Sequence, residues 1–211
     1  MLKSFNSIDA IILDLGGVIL NIDYDLTIKA FKELGFRNFE EQYSQLQQSG
    51  LFDRLETGMI SPDDFVSEIK RVLPKATNKE IIEAWNALLL DFPEGRIHTV
   101  IQIAEKRPTF LLSNTNAIHY KEFNKTFYRQ TGLKDIKPLF KEAFLSHEIH
   151  LRKPDIRAFE LILDKHELKA GRTFFVDDSP QHVEAAKRMG IQSYLMNKND
   201  SLEQLLAPIL A

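Results

Sequence analysis

The residues of this chain that could do chemistry fall into four short clusters. They are Asp14 followed by Gly16-Gly17, then Ser113-Asn114-Thr115, then Lys153-Pro154, and last Asp177-Asp178-Ser179. Three carboxylates from two distant segments, joined by a backbone carbonyl, make an all-oxygen donor set. Such a set suits Mg²⁺, a hard ion that favours near-octahedral oxygen geometry and keeps several waters. A carboxylate beside that ion can attack phosphorus and form an aspartyl-phosphate. Lys153 and the Ser113 hydroxyl would neutralise the phosphoryl oxygens as charge develops. Each cluster also has a plainer reading. Asp14 could close a strand as a turn residue, although a carboxylate inside an apolar run is costly to bury unpaired. Asp177-Asp178 could cap a helix, although two adjacent acids repel without a cation. Ser113-Asn114 could be only a turn, and Lys153 only a solvated cation. The two glycines could make a turn or admit backbone amides close to a phosphate.

These clusters need elements that bring them together. Five short apolar runs read as strands: Ala10–Leu15, Thr109–Leu112, Ala143–Leu145, Thr173–Val176 and Ser193–Met196. They are strand-length and nearly continuous in apolarity, as in a parallel sheet covered on both faces. Pro154 sits where a helix would start, with Ile156, Phe159 and Leu163 at helical spacing. Ser179-Pro180 opens another, stopped at Gly190. From residue 93 onward, strands and helices alternate as right-handed βαβ units. Residues from about 23 to 92 contain no convincing strand. Ser61 with Asp64 and Thr77 with Glu80 form capping boxes for two of that stretch's helices. An insert of that length is no simple crossover. The expected division is a core of residues 1–20 and 93–211 with a helical cap at 21–92. In open parallel sheets ligands bind beyond the carboxyl ends of the strands, and four of the five runs end in the polar clusters named above.

Bulk composition excludes several other classes. The 211 residues are 44% hydrophobic and 27% charged, an ordinary globular balance. A net charge of −3 gives no basic footprint, so no nucleic-acid partner is expected. There is no cysteine, which removes disulfides, thiolate metal sites and a thiol nucleophile. Zinc is disfavoured further because the six histidines are scattered. No apolar run approaches the ~18 residues of a membrane helix, and the first nine residues lack a signal-peptide layout. The expectation is a cytoplasmic protein with no membrane partner. Oligomeric state is not readable.

Taken in order, Asp14-Leu15-Gly16-Gly17-Val18, Leu112-Ser113-Asn114-Thr115, Arg152-Lys153-Pro154 and Val176-Asp177-Asp178-Ser179 resemble the four motifs of the haloacid dehalogenase-like superfamily. They span the whole core. The insert after strand one resembles the cap of the subfamily that carries it there, and the wording is closest to the branch with small sugar-phosphate phosphatases. The resemblance implies an α/β fold, a three-layer Rossmann-like core with a mostly parallel sheet and a helical cap. It implies Asp14 as nucleophile and Mg²⁺ ligand, and the Gly16 carbonyl as a second ligand. Asp178 would bind the metal directly, with Asp177 acting directly or through water. Ser113 and Lys153 would hold the phosphate, with the Asn114 backbone amide nearby. The implied activity is Mg²⁺-dependent hydrolysis of a small phosphorylated metabolite.

One position departs from the pattern. Most phosphatases of this superfamily carry a general acid/base Asp two residues after the nucleophile, and here that residue is Gly16. Asp23 and Asp25 are candidates to substitute. A metal-independent 2-haloacid dehalogenase would tolerate Gly16, because halide leaves without a proton, but would not need the paired late acids. A weakly active or non-catalytic phosphate-binding regulatory module would tolerate it too, though it would not need the full set of motifs. A phosphomutase would need the missing acid most. Arg54 and Glu56, near the cap's edge, could line the entrance, although a surface ion pair is the plainer reading.

Overall fold

In the computed structural model, which describes residues 7–36 and 50–210, one five-stranded sheet carries the architecture. The strands are β1 (Ala10–Leu13), β2 (Thr109–Ser113), β3 (Glu142–Leu145), β4 (Thr173–Asp177) and β5 (Gln192–Leu195). Their spatial order is β3-β2-β1-β4-β5, and every pair is parallel. The sequence expectation placed each strand within one or two residues. The largest difference is β1, which ends at Leu13 rather than Leu15. Asp14 is therefore the first residue beyond the strand, although its N–H still donates to the Val176 carbonyl at 2.9 Å.

Strand residues alternate between two apolar layers, as a period of two requires. Ile11, Leu13, Leu111, Phe174 and Val176 join one cluster with Val100, Ile103, Phe123 and Leu206. Those partners lie on α5 (Glu94–Lys106), α6 (Ala117–Thr131) and α10 (Leu202–Leu210). Ala10, Ile12, Phe110, Leu112 and Phe175 join another with Phe159, Ile162 and Ala186. Those lie on α8 (Ile156–Lys165) and α9 (Pro180–Arg188). The three-layer reading holds, and the central strands are apolar on both sides because both sides are covered. Helix α8 starts two residues later than Pro154 suggested. Asp155 is its N-cap, accepting from the Arg157 N–H, because an aspartate side chain can satisfy an orphan donor and a proline ring cannot.

Between β1 and α5 lie α1 (Tyr24–Glu33), α2 (Leu51–Glu56), α3 (Pro62–Val72) and α4 (Asn78–Asn86). Both anticipated capping boxes open α3 and α4. These helices enclose a separate cluster around Phe31, Phe65, Ile69, Ile81 and Trp85, to which α6 contributes Ile118. The two connections to the sheet layer run side by side. Asn21 N–H donates to the Asp91 carbonyl, Leu90 N–H to Asn21, and Asp23 N–H to Leu88. Four-residue α7 (Ser146–Ile149) follows β3. No helix among the described residues is long and apolar enough to cross a membrane.

Candidate active site

The carboxyl ends of β1, β2 and β4 converge on Lys153, in the loop leading to α8: β1 and β4 through its ammonium, β2 through its backbone. Its side chain is fully buried, 2.8 Å from Asp14 Oδ1 and 2.5 Å from Asp177 Oδ2. A cation in that position survives burial only because two carboxylates face it. Burial would lower its pKa, but the charges of Asp14 and Asp177 outweigh that and raise it. Asp177 shows the balance from the other side. Burial works against its ionisation, yet Lys153 and His182 hold it down at about 2. Burial pushes the Asp14 carboxyl up to about 8, with Lys153 opposing and the negative charges of Asp177 and Asp178 adding to it. Burial and Asp177 likewise raise Asp178.

Three carboxylates therefore share one buried ammonium, an excess of negative charge that a hard divalent cation would offset. The donors differ in availability. Asp177 already accepts from Lys153, from the Ser179 N–H at 2.8 Å, and faces His182 Nδ1 at 2.9 Å. Asp14, Asp177 and His182 do lie within 4.8 Å of one another. But the imidazole nitrogen that would serve a metal points at Asp177, so this trio is a hydrogen-bonded cluster. Asp14, Gly16 and Asp178 instead line a common cavity. Gly17, at φ +70°, brings the backbone so close to Asp178 that a Cβ there would sit 2.1 Å from Oδ2. The fit is thus to oxygen donors from Asp14, the Gly16 loop and Asp178.

Ser113 is buried at the end of β2 and lines the same cavity. Asn114 lines it too, but its side chain is occupied. Its Nδ2 donates to the Lys153 carbonyl at 2.8 Å, and its Oδ1 accepts the Lys153 N–H at 2.9 Å. That reciprocal pair fixes the Lys153 loop against β2. Ser146 does the same one residue later, bonding both the N–H and the carbonyl of Thr115. All seven residues singled out from the sequence thus lie at one sheet edge, and Asp14, Gly16, Ser113, Asn114 and Asp178 line one cavity of about 720 Å³.

The cavity's other wall comes from α1, α2 and α4, with His119 of α6, and contains groups that sequence reasoning did not single out as site residues. Phe52 stacks on Trp85 with ring centroids 5.3 Å apart, and Trp85 stacks on His119 at 5.0 Å. His119 is neutral, since burial holds its pKa down to about 4. Its Nε2 faces the Trp85 carbonyl at 3.1 Å and its Nδ1 faces Asn116 Nδ2 at 3.1 Å. An amide NH₂ only donates and a carbonyl only accepts, so the proton resides on Nε2. Tyr24 also lines the cavity, and so does Glu56, for which the sequence allows an entrance position. Asp23 instead N-caps α1, and neither it nor Asp25 lines the cavity. The expected Arg54–Glu56 surface pair is corrected: Arg54 is exposed and absent from the cavity, and the cation near Glu56 is Arg152 at 3.1 Å. Side chains on α2 point according to its packing on the core loop, which a local pairing rule does not see. His182 had a usable signal, standing in the first turn of the helix after the acid pair.

Comparison with known proteins agrees with this geometry. The chain is 25% identical over 201 residues to a D-ribitol-5-phosphate phosphatase of Bacteroides thetaiotaomicron, covering 95% of this chain and 97% of that protein. It is 24% identical over 190 residues to a sesquiterpene phosphatase of Aspergillus oryzae, covering 86% of each. Among solved structures, a haloacid dehalogenase family enzyme of Bacteroides thetaiotaomicron in complex with magnesium and inorganic phosphate superposes with a TM-score of 0.85 at 33% identity, over 94% of this chain and 98% of that one. The model of the haloacid dehalogenase-like hydrolases matches residues 8–190, from before β1 to the end of α9. With the sheet order and the converging strand ends, this match makes the chain a member of the haloacid dehalogenase-like hydrolase family.

Proposed function

We propose that the protein is a Mg²⁺-dependent phosphatase acting on a small phosphate monoester, with Asp14 as nucleophile. The observation that carries this reading is the buried ammonium of Lys153 held between Asp14 and Asp177 while Asp178 opens to the cavity. Asp14, the Gly16 carbonyl and Asp178 would hold the ion directly, and Asp177 through water. Mg²⁺, when bound, supplies positive charge to the phosphoryl oxygens and keeps carboxylates ionised that burial alone would protonate. Lys153 orients the Asp14 carboxylate and balances its charge, so that one oxygen faces the incoming phosphorus. The Ser113 hydroxyl and the Asn114 backbone amide donate to the phosphoryl oxygens. Residues 21–92 act as a cap that closes the cavity from water. The relatives named for phosphatase activity, and the relative solved with magnesium and phosphate, support the same reading. A sugar or polyol phosphate is the proposed substrate class, on the strength of the ribitol-phosphate phosphatase. A dehalogenase would have no use for the Asp178 carboxylate at the cavity wall.

The test is release of phenolate and inorganic phosphate from p-nitrophenyl phosphate. Activity should appear with Mg²⁺, vanish with a chelator and return on re-addition. Asp14→Asn should lower it by at least about 10³-fold while far-ultraviolet dichroism is unchanged, since the amide cannot attack phosphorus. Turnover that persists in the chelator, or in the Asn variant, would end this assignment.

A further inference from the structure

An alcohol that departs from phosphorus as a bare alkoxide is a poor leaving group, and a positioned acid is worth about 10²–10⁴ in rate. Position 16, where such an acid would stand, has no side chain. The cavity offers a short set of alternatives: Tyr24, His119, Arg152, Asp178, His182 and Glu56. Asp178 belongs to the proposed metal donors, and His182 is turned onto Asp177. His119 has both ring nitrogens engaged. Burial and the surrounding carboxylates push Tyr24 far up, so it stays protonated and cannot cycle. Arg152 is a permanent cation. Glu56 remains.

Glu56 is the last residue of α2, and the chain on either side of it is fixed to the core. The Thr57 carbonyl accepts from His150 Nδ1 at 2.7 Å. Gly58 lies directly on the His147 carbonyl, so close that a Cβ there would be 2.2 Å from the oxygen. Arg152 pairs with Asp53, one turn earlier. The core loop making these contacts runs straight into Lys153, which holds Asp14. Glu56 is thus tied to the nucleophile through the segment from His147 to Lys153. Its Oε2 is buried and, though 3.1 Å from Arg152 Nη2, lacks the alignment of a hydrogen bond. That leaves a carboxyl oxygen with an unused lone pair at the wall of the reaction cavity. Burial raises its pKa to about 7, with the Lys153 charge opposing. A group poised there both gives and takes a proton near neutrality. The charged or titratable groups facing it are Arg152, Lys153 and Tyr24.

Resting on the phosphatase reading, we propose that Glu56, reaching over from the cap, is the general acid and base that position 16 lacks. As the Asp14–phosphorus bond forms and the ester P–O bond breaks, Glu56 passes its proton to the departing alkoxide, giving the free alcohol. Its carboxylate then takes a proton from the water that attacks phosphorus. The Asp14–phosphorus bond breaks, phosphate forms and protonated Glu56 is restored. Water and ester are consumed, alcohol and phosphate are produced, and no other reactant is needed.

Two substrates with aromatic leaving groups of similar size separate this role from a structural one. Nitrophenolate leaves without help, whereas benzyl alkoxide needs a proton. With Mg²⁺ present, E56Q should lower turnover of benzyl phosphate by about 10²-fold or more. The same change should lower the rapid p-nitrophenolate burst far less, while the later steady state slows because water activation is lost. A second variant, E56D, keeps the acid but shortens its reach, and should show the same leaving-group bias to a smaller extent. Equal losses on both substrates in both variants, or no loss on either, would overturn the assignment. A wild-type protein with no Mg²⁺-dependent release of p-nitrophenolate would instead end the phosphatase reading beneath it.

Discussion

Gly17 carries more of the site than its lack of a side chain suggests. Its φ of +70° is a conformation that L side chains rarely adopt, and Asp178 occupies the space where a Cβ would be. Three atoms of Asp178, from Oδ2 back to Cβ, lie within 2.9 Å of that position, so the whole carboxylate would have to swing away. Gly17→Ala should therefore raise the Mg²⁺ concentration for half-maximal activity by about tenfold or more. The corresponding Kd shift is about 1.4 kcal/mol. Backbone strain adds about 1–2 kcal/mol of destabilisation. Magnesium titration of activity reads the first effect and urea unfolding the second. An unchanged Mg²⁺ requirement would mean that Asp178 is not a metal donor. Lys153 has the opposite character, a large charged side chain whose surroundings leave no freedom. Its backbone is pinned by Asn114 and its ammonium by two carboxylates.

At the level of elements, the contact between the end of α2 and residues 147–152 sets where the α2 wall of the cavity stands. Gly58 and Gly132 both have positive φ, +68° and +76°, but differ in what surrounds them. Gly58 abuts a backbone carbonyl, while nothing lies within 4 Å of the Gly132 Cβ position. The pair isolates the contact from the strain. Gly132→Ala should cost about 1 kcal/mol of stability and leave kcat/KM near the original value. Gly58→Ala should cost more and lower kcat/KM by about tenfold, because the α2 end must lift from the core and carry Glu56 with it. Unfolding curves and benzyl phosphate kinetics on both variants check this. Equal activity in the two would detach the α2 contact from catalysis. The aromatic stack of Phe52, Trp85 and His119 joins the same two layers farther along, through rings rather than charges.

For the whole molecule, His119 links global stability to pH. Its ring is buried and uncharged, and burial holds its pKa at about 4 in the fold against the ordinary 6.5. Between those values the unfolded chain binds a proton that the folded chain does not, so stability rises with pH across that window. The contribution is fully present above pH 6.5 and is lost as pH falls toward 4, by about 3 kcal/mol in all. Urea unfolding from pH 7 down to 4.5 should show this loss. His119→Phe keeps a ring for the Trp85 stack but removes the titration. Its baseline stability should fall, since Asn116 and the Trp85 carbonyl lose a partner, but its slope with pH should flatten by close to one proton. Identical slopes would assign the pH dependence to other groups.

The sequence by itself determined the sheet and the contents of its carboxyl edge. Strands buried on both faces must be apolar nearly throughout, so Ala10–Leu15, Thr109–Leu112 and Thr173–Val176 stand out as nearly continuous runs, and the polar groups at their ends stand out as well. Capping boxes were legible because they close over three residues, Ser61 to Asp64 and Thr77 to Glu80. Only the tertiary structure decided which of those polar groups are free to act. Asn114 spends its side chain on Lys153, and Asp177 spends both oxygens on Lys153, His182 and Ser179. It also decided what faces the site from the helices between β1 and α5. Arg152 meets Glu56, and Trp85 meets His119, across long stretches of chain. Such pairings leave no period and no local spacing to read, because they follow from how two packed layers are oriented rather than from how neighbouring residues bond.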